Sequence, residues 1–206
     1  LLGMAEAYQA VHRPTSQSDP SAGKKRIRWE EALALQTVLA IRREEYREHA
    51  ATPRRAIDAG RLSALDARVP IELTAGQQEI GDVIAAELAG EHPMHRLLQG
   101  EVGSGKTLVA LRAMLKVVDA GGQAALLAPT EVLAAQHERS IRDLLGPLAA
   151  DGIFSTSEHT TTVTLVTGPQ STAARRQALL DVASGQAGIV IGTHALLEDK
   201  VTFADL

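Results

Sequence analysis

The spacing of apolar positions changes near residue 74 and predicts two differently built regions. Beyond that point, helical spacing alternates with short apolar runs typical of buried strands. We predict helices over 74–89, 105–120, 130–145 and 171–183, and strands over 96–99, 123–128, 163–167 and 188–191. Strands and helices that alternate in this way form right-handed βαβ units around a parallel sheet. The predicted fold class is therefore α/β.

The first 70 residues follow another pattern. Residues 15–23 are polar and rich in turn-forming residues, and residues 49–62 lack periodicity, so both are predicted to be loops. Between them, Leu35, Leu39 and Tyr46 fall on one face of a helix that is predicted to open near residue 29. We therefore divide the chain into a helical connector, residues 1–70, and an α/β domain, residues 71–206.

Composition narrows the possible classes of protein. The 206 residues include no cysteine, which excludes disulfides and thiolate metal sites, and no apolar stretch approaches the ~20 residues of a membrane span. No secretory signal opens the chain, so we expect a cytoplasmic protein that does not act at a membrane. The first residue is not methionine, and we expect a piece of a longer chain.

Charge is unevenly distributed along the chain. Residues 1–70 hold 12 basic and 9 acidic residues, whereas residues 71–206 hold 9 basic and 16 acidic residues. A protein that binds nucleic acid by charge alone is strongly basic. Any DNA contact of the α/β domain must therefore use a few placed groups. The basic run at 24–28 fits DNA binding and a solvated segment equally well.

One motif carries chemistry. Residues 100–107 fit the pattern G-x-x-x-x-G-K-[ST] and lie between a predicted strand and an apolar helix, which is the context of a phosphate-binding loop. The predicted nucleotide contacts are Gly100, Glu101, Val102, Gly103, Ser104, Gly105, Lys106 and Thr107. The glycines allow backbone N–H groups to point at a triphosphate. Lys106 would neutralise phosphate charge and the Thr107 hydroxyl would ligate Mg²⁺, so these two are the predicted catalytic residues.

Hydrolysis also needs an acidic pair at the end of another strand, to hold Mg²⁺ and orient water. None of the predicted strands ends in Asp-Glu: they are followed by Pro129-Thr130, Thr167-Gly168 and Gly192-Thr193. These 206 residues therefore predict nucleotide binding without efficient hydrolysis.

Several segments in order resemble the motifs of the RecG helicases, a bacterial family of helicase superfamily 2. They are ELTAGQQ at 72–78, LLQGEVGSGKT at 97–107, APTEVLAAQH at 128–137 and IGTHALL at 191–197. Two further segments, YQAVHRP at 8–14 and WEE at 29–31, resemble the connector that follows the wedge domain of this family. The resemblance covers most of the chain and implies a RecA-like P-loop lobe.

The resemblance implies an ATP- and Mg²⁺-dependent motor that remodels branched or duplex DNA, such as stalled forks and Holliday junctions, in repair and recombination. It implies that Gln77 reads the adenine. It also implies contacts with DNA phosphates by five residues: Thr130, Thr167, Gly168, Thr193 and His194. The family's wedge domain, acidic motif and second RecA-like lobe lie outside these residues and would be partners in one polypeptide, which we expect to be a monomer.

Three positions depart from the family pattern. Glu101 stands where the family has Asp, Ile71 replaces an aromatic residue beside the adenine segment, and Pro169 removes an N–H donor after Gly168. The loop 149–161 is also longer than expected.

Three other interpretations stay open at this stage. A transcription-repair coupling translocase has very similar motifs, although the connector and the residues Leu97-Leu98-Gln99 favour RecG. A P-loop small-molecule kinase would need lid residues and a strand-end acid, which the sequence lacks. The chain could also be a nucleotide-binding module without turnover.

Overall fold

The computed structural model describes residues 2–68, 72–149, 159–168 and 170–206. It divides into two compact units, Leu1–Ala50 and Ala51–Leu206. Residues 51–68, which the sequence suggested belong to the connector, thus lie in the second unit. The expectations for Ile71, Pro169 and most of the loop 149–161 concern residues outside the described ranges. No helix in the described part of the chain is long and apolar enough to cross a membrane.

The first unit consists of two helices that pack against each other. Helix α1 spans Met4–His12 and helix α2 spans Asp19–Arg47. The crossing is close at Gly23, where an added Cβ would lie 2.5 Å from the Ala7 carbonyl oxygen. Leu35 on α2 is 59 % exposed, so the apolar face predicted for this helix is not covered in the structure.

Two sequence predictions for this unit are wrong. Helix α1 was not predicted, and residues 19–23, which were predicted to be loop, form the first turns of α2. The turn-forming residues instead build the start of the helix: the Asp19 carboxylate accepts hydrogen bonds from the backbone N–H groups of Thr15 and Ser16, at 2.7 and 2.9 Å. Pro20 fits the first turn because that turn needs no N–H donor from it.

The second unit is a parallel sheet flanked by helices. Its helices are α3 (Arg61–Arg68), α4 (Ala75–Leu88), α5 (Lys106–Asp119), α6 (Glu131–Leu145) and α7 (Thr172–Ala183). Its strands are β1 (Ala124–Leu127), β2 (Thr162–Val166) and β3 (Ala187–Gly192), with β3 in the centre. Both pairings are parallel, and Gly192 is level with Leu127 on one side and Val166 on the other. The predicted α/β class is confirmed.

The sheet separates two apolar clusters. On one face, Ile189 and Ile191 pack with residues of α5 and α6, including Leu115 and Ile141. On the other face, Val190 packs with α7. This alternation follows from the period of two along a strand. Because the three strands are parallel, their carboxyl ends lie at one edge of the sheet, with α6 on one face and α7 on the other.

Residues 96–99 were predicted to be a strand, and this prediction is wrong for the described structure. No described residue pairs with them in a ladder, and Leu97 is 87 % exposed. An apolar run shows that a segment would suit a sheet interior, but a strand also needs a neighbour that supplies its hydrogen bonds. Helix α3 was not predicted by the sequence either.

Candidate nucleotide-binding site

The loop 100–107 leads directly into α5. Gly103 and Gly105 have φ values of 84° and 80°, in the left-handed region that favours glycine. The Ser104 N–H donates to the Glu101 carbonyl at 3.2 Å, and the helix begins at Lys106. Since α5 packs on β1 and is joined to it by residues 120–123, the helix runs back along the strand. Its N-terminus, which favours anions, therefore lies towards the carboxyl edge of the sheet.

The Lys106 amine lies inside the curve of the loop. Its Nζ donates to the carbonyl oxygens of Gly100 and Glu101, both at 2.7 Å. These two neutral acceptors are the only described groups that hold the amine, and no carboxylate pairs with it in the described residues. A primary ammonium with carbonyl partners can exchange them for stronger anionic acceptors. The amine is thus available to phosphate oxygens that enter the loop.

The Gln77 side chain supports the same loop. Its Nε2 donates to the Ser104 carbonyl at 2.9 Å, while its Oε1 accepts from the Thr74 N–H at 3.0 Å. The Thr74 hydroxyl accepts from the Gln77 N–H at 3.3 Å, which completes a capping box at the start of α4. An added Cβ on Gly105 would lie 2.5 Å from Nε2, so the missing side chain makes room for the amide.

This support for the loop was not foreseen from the sequence, although a signal existed. The spacing of Thr74 and Gln77 is that of a capping box. It did not show that the other end of the same amide reaches the phosphate loop. The amide has two N–H donors and more than one lone pair, so these contacts leave capacity for a base edge.

A cleft of about 560 Å³ opens beside these groups. It is lined by Gln77 and Ile80 of α4, by residues 97–99, and by Gly100 and Lys106 of the loop. Its walls therefore combine apolar surface with an amide and a cation, as expected for a site that holds a base and its phosphates. Thr107 is partly buried in the first turn of α5, whereas Glu101 and Val102 are exposed.

The residues predicted to face DNA lie where the three strands end. Thr130 follows β1, Thr167 and Gly168 follow β2, and Thr193 and His194 follow β3, so the strand registers place them along one edge. The Thr130 hydroxyl accepts from the Leu133 N–H at 3.3 Å and caps α6.

These residues differ in exposure. Thr167 and Thr193 are only 6 % and 3 % exposed, whereas Gly168 and His194 are exposed. The Thr167 carbonyl also accepts from Nη1 of Arg175 at 3.2 Å. A ligand that approaches this edge would thus meet Gly168, His194 and the start of α6 before it met the two buried threonines.

Comparisons with known proteins show which proteins this chain resembles. Over its full length the chain is 50 % identical to the ATP-dependent DNA helicase RecG of Mycobacterium tuberculosis and 48 % identical to that of Mycobacterium leprae, and it spans 28 % of the length of each. The RecG of Streptococcus pneumoniae is 35 % identical, again over the whole chain. A solved structure of RecG bound to a three-way DNA junction superimposes with a TM-score of 0.85 at 33 % identity, covering the whole chain and 27 % of that protein.

The resemblance to RecG that the motifs predicted is therefore confirmed, and it favours RecG over the translocase and kinase alternatives. Residues 74–205 match the family described as DEAD/DEAH box helicase, and this range contains the phosphate loop, Gln77 and the strand-end residues. The chain belongs to the DEAD/DEAH box helicase family.

Proposed function

We propose that the chain binds ATP with Mg²⁺ at the loop 100–107 and forms the nucleotide-binding part of a motor that remodels branched DNA. The observation that carries the proposal is the position of Lys106 Nζ, 2.7 Å from two loop carbonyls and at the N-terminus of a helix. A cation placed at a helix N-terminus attracts a phosphate.

In this proposal Lys106 leaves the loop carbonyls and pairs with the β- and γ-phosphates. The Thr107 hydroxyl ligates Mg²⁺, whose other ligands come from phosphate oxygens and water. The remaining loop residues supply backbone donors. Gln77 reads the adenine edge with the donor and acceptor capacity that its contacts to Thr74 and Ser104 leave unused.

The same glutamine would couple base recognition to the phosphate loop. Its Nε2 already donates to the Ser104 carbonyl, so a base that shifts the Gln77 amide by hydrogen bonding would also shift the loop. A nucleotide without the adenine edge would then bind less well and would leave the loop less ordered.

For DNA, we propose that the strand-end residues meet phosphates of the sugar–phosphate backbone. Thr130, Gly168 and His194 offer a hydroxyl, an N–H group and an imidazole at one edge, next to the start of α6. Thr167 and Thr193 would act through their backbone or after a local adjustment, because their side chains are buried. Such contacts position a strand without reading its sequence, as a translocating motor requires.

The whole helicase activity is a proposal that concerns more than these residues, since the chain spans 28 % of its RecG relatives. By analogy with them, a wedge domain and a second RecA-like lobe would complete the motor and its grip on a junction. None of the three strands that the structure describes is followed by Asp-Glu. We therefore propose that this chain binds nucleotide without efficient hydrolysis and that its ATPase activity depends on a further acidic segment.

The first experiment titrates a fluorescent ATP analogue against the wild type, Lys106→Ala and Lys116→Ala. The control removes a lysine from the same helix, ten positions further on. Loss of charge-assisted hydrogen bonds worth about 1.5–3 kcal/mol predicts binding about 10- to 150-fold weaker for Lys106→Ala, and unchanged for the control. Equal affinities in all three proteins would contradict nucleotide binding at this loop. ATP hydrolysis that depends on Mg²⁺ and is abolished by Lys106→Ala would contradict the proposal that the chain binds nucleotide without efficient hydrolysis.

Two further variants separate the roles of single side chains. Thr107→Val keeps the shape of the residue but removes the oxygen, so it should weaken binding in Mg²⁺ and have little effect in a chelator. Gln77→Ala should reduce the preference for ATP over GTP, whereas Gln78→Ala, its neighbour, should not. If Gln77→Ala weakens both nucleotides equally, the glutamine only supports the loop and does not read the base.

A further inference from the structure

Three cations on the first turns of α2 have no partner among the described residues. The side chains of Lys24, Lys25 and Arg28 are exposed and form no hydrogen bond or ion pair with any residue that the structure describes. Spacings of three and four residues place Arg28 beside both lysines on one side of the helix. We refer to these three residues as the basic cluster. They belong to the run 24–28, whose role the sequence left open.

The fourth cation of the run is engaged within the unit. Arg26 pairs with Glu30, its Nε donates to the Leu2 carbonyl at 2.9 Å, and its guanidinium lies 5.0 Å from the centre of the Trp29 ring. Arg26 therefore has a structural role, and the basic cluster does not share it. The acid nearest to the cluster without a described partner is Glu31, three positions after Arg28. The cluster keeps a net positive charge.

The far end of the same helix is different. Arg42, Arg43 and Arg47 alternate with Glu44 and Glu45, and Arg47 lies 3.8 Å from Glu44. Mixed charge of this kind is typical of a solvated helix surface and favours no particular partner. Arg42 and Arg43 also form no described ion pair, but three arginines and three glutamates balance over residues 42–48, whereas residues 24–31 hold four cations and two glutamates.

Electrostatics limits which part of the chain can attract a polyanion. Residues 51–206, which form the second unit, carry 13 basic and 18 acidic residues, so this α/β unit repels DNA at long range. Residues 1–50, which form the first unit, carry the opposite balance, 8 basic and 7 acidic. A motor with an acidic lobe needs its long-range attraction to DNA from elsewhere.

We infer that the basic cluster of α2 binds the DNA backbone and supplies attraction that the acidic α/β domain lacks. This inference rests on DNA being a partner, as proposed above, and adds a contact surface outside the helicase motifs. Three ammonium and guanidinium groups on one helix side fit a row of phosphates, which they would bind without regard to sequence.

An anionic membrane is the competing partner for a basic helix, but α2 does not suit it. A helix that lies on a bilayer needs its apolar residues on one face. The exposed large apolar residues of α2 follow the cluster along the chain and are spread around most of the helix instead of forming one narrow face: Trp29, Leu33, Leu35, Val38, Leu39, Ile41 and Tyr46.

The test compares two triple variants of the full chain: Lys24→Ala/Lys25→Ala/Arg28→Ala and Arg42→Ala/Arg43→Ala/Arg47→Ala. Both remove three positive charges from one helix and replace them with the best helix former, so net charge and helix propensity stay matched. Binding to a labelled duplex is measured by fluorescence anisotropy over a range of salt concentrations. Nucleotide binding and the circular dichroism of each variant report whether the fold is intact.

If each cluster residue meets one phosphate, the slope of log affinity against log salt falls by about 2.7, at about 0.9 per contact. The control triple should change this slope by less than about one. Equal slope changes in both variants would overturn the inference, because net charge alone would then explain them. If the cluster variant keeps the wild-type slope, the basic cluster does not bind DNA and the inference is overturned, although the chain still binds DNA elsewhere.

Two other outcomes separate this inference from the proposed function. If the wild-type chain binds the ATP analogue but no duplex even at low salt, both the cluster assignment and the DNA contacts fail, and the nucleotide site stands. If the chain binds phosphatidylserine vesicles through the cluster but not the duplex, the cluster is a membrane surface and the inference fails.

Discussion

Replacement of Gln123 by leucine tests what fastens the sheet to the segment after β3. Gln123 precedes β1 and is 3 % exposed. Its Nε2 donates to the carbonyls of Val182 and Ala187 at 3.0 and 2.8 Å. Its Oε1 accepts from the N–H groups of Ala204 and Asp205 at 2.7 and 3.2 Å. One amide thus joins α7, β3 and residues 204–205.

Leucine has nearly the volume of glutamine, so Gln123→Leu leaves no large cavity but removes four hydrogen bonds. At about 0.5–1.5 kcal/mol each, the free energy of unfolding should fall by about 2–6 kcal/mol. The backbone bond from the Gln123 N–H to the Asp205 carbonyl, at 2.6 Å, would remain. With a urea m-value of about 2 kcal/mol per molar, the midpoint should fall by about 1–3 M.

Urea unfolding followed by far-ultraviolet circular dichroism measures this change. Gln177→Leu is the control, because Gln177 is exposed and has a single side-chain bond, to Asp181 at 2.7 Å. Its midpoint should hardly move. The only tryptophan, Trp29, lies in the first unit, so its fluorescence reports that unit separately. A shift below about 0.3 M for Gln123→Leu, equal to that of the control, would refute the reasoning.

Two more predictions concern the phosphate loop and a pH dependence. Gly105→Ala should weaken nucleotide binding more than Gly103→Ala does. Both glycines have a positive φ, but only a methyl group at position 105 would contact Gln77. Equal losses of nucleotide affinity in titrations of the two variants would contradict this prediction. The Arg54 guanidinium lies 2.6 and 2.8 Å from the two Asp205 oxygens and lowers the pKa of that carboxyl below its ordinary value of 3.8. A carboxyl whose pKa is lower in the folded state stabilises the fold above pH 3.8, and this stabilisation is lost as the pH falls through the folded pKa. In urea titrations, the stability difference between wild type and Asp205→Asn should therefore be constant from pH 8 to about 5 and shrink below pH 3.8. A difference that grows on acidification would contradict this prediction.

Local sequence determined the elements whose signals are contiguous. The phosphate loop depends on glycines and a lysine within eight residues, and its neighbouring helix begins where the pattern predicts. Thr130 and Ser171 cap α6 and α7 from within their own sequence, because a cap needs only a hydroxyl and an N–H three residues later. The parallel direction of the strands followed from the alternation of strands and helices, because a helix that connects two strands of one sheet returns the chain to the same edge of the sheet.

Tertiary structure decided the features whose partners are distant in sequence. Helix α3 was missed because its cap comes from Asp119, which accepts from the N–H groups of Arg61 and Leu62 at 2.8 and 3.1 Å across more than 50 residues. Residues 96–99 have the composition of a strand but no described neighbour to pair with. The contact from Gln77 to the phosphate loop likewise joins residues 27 positions apart. Propensity and capping act over a few residues and can be read along the chain, whereas ladders and long-range caps exist only once packing has brought their two partners together.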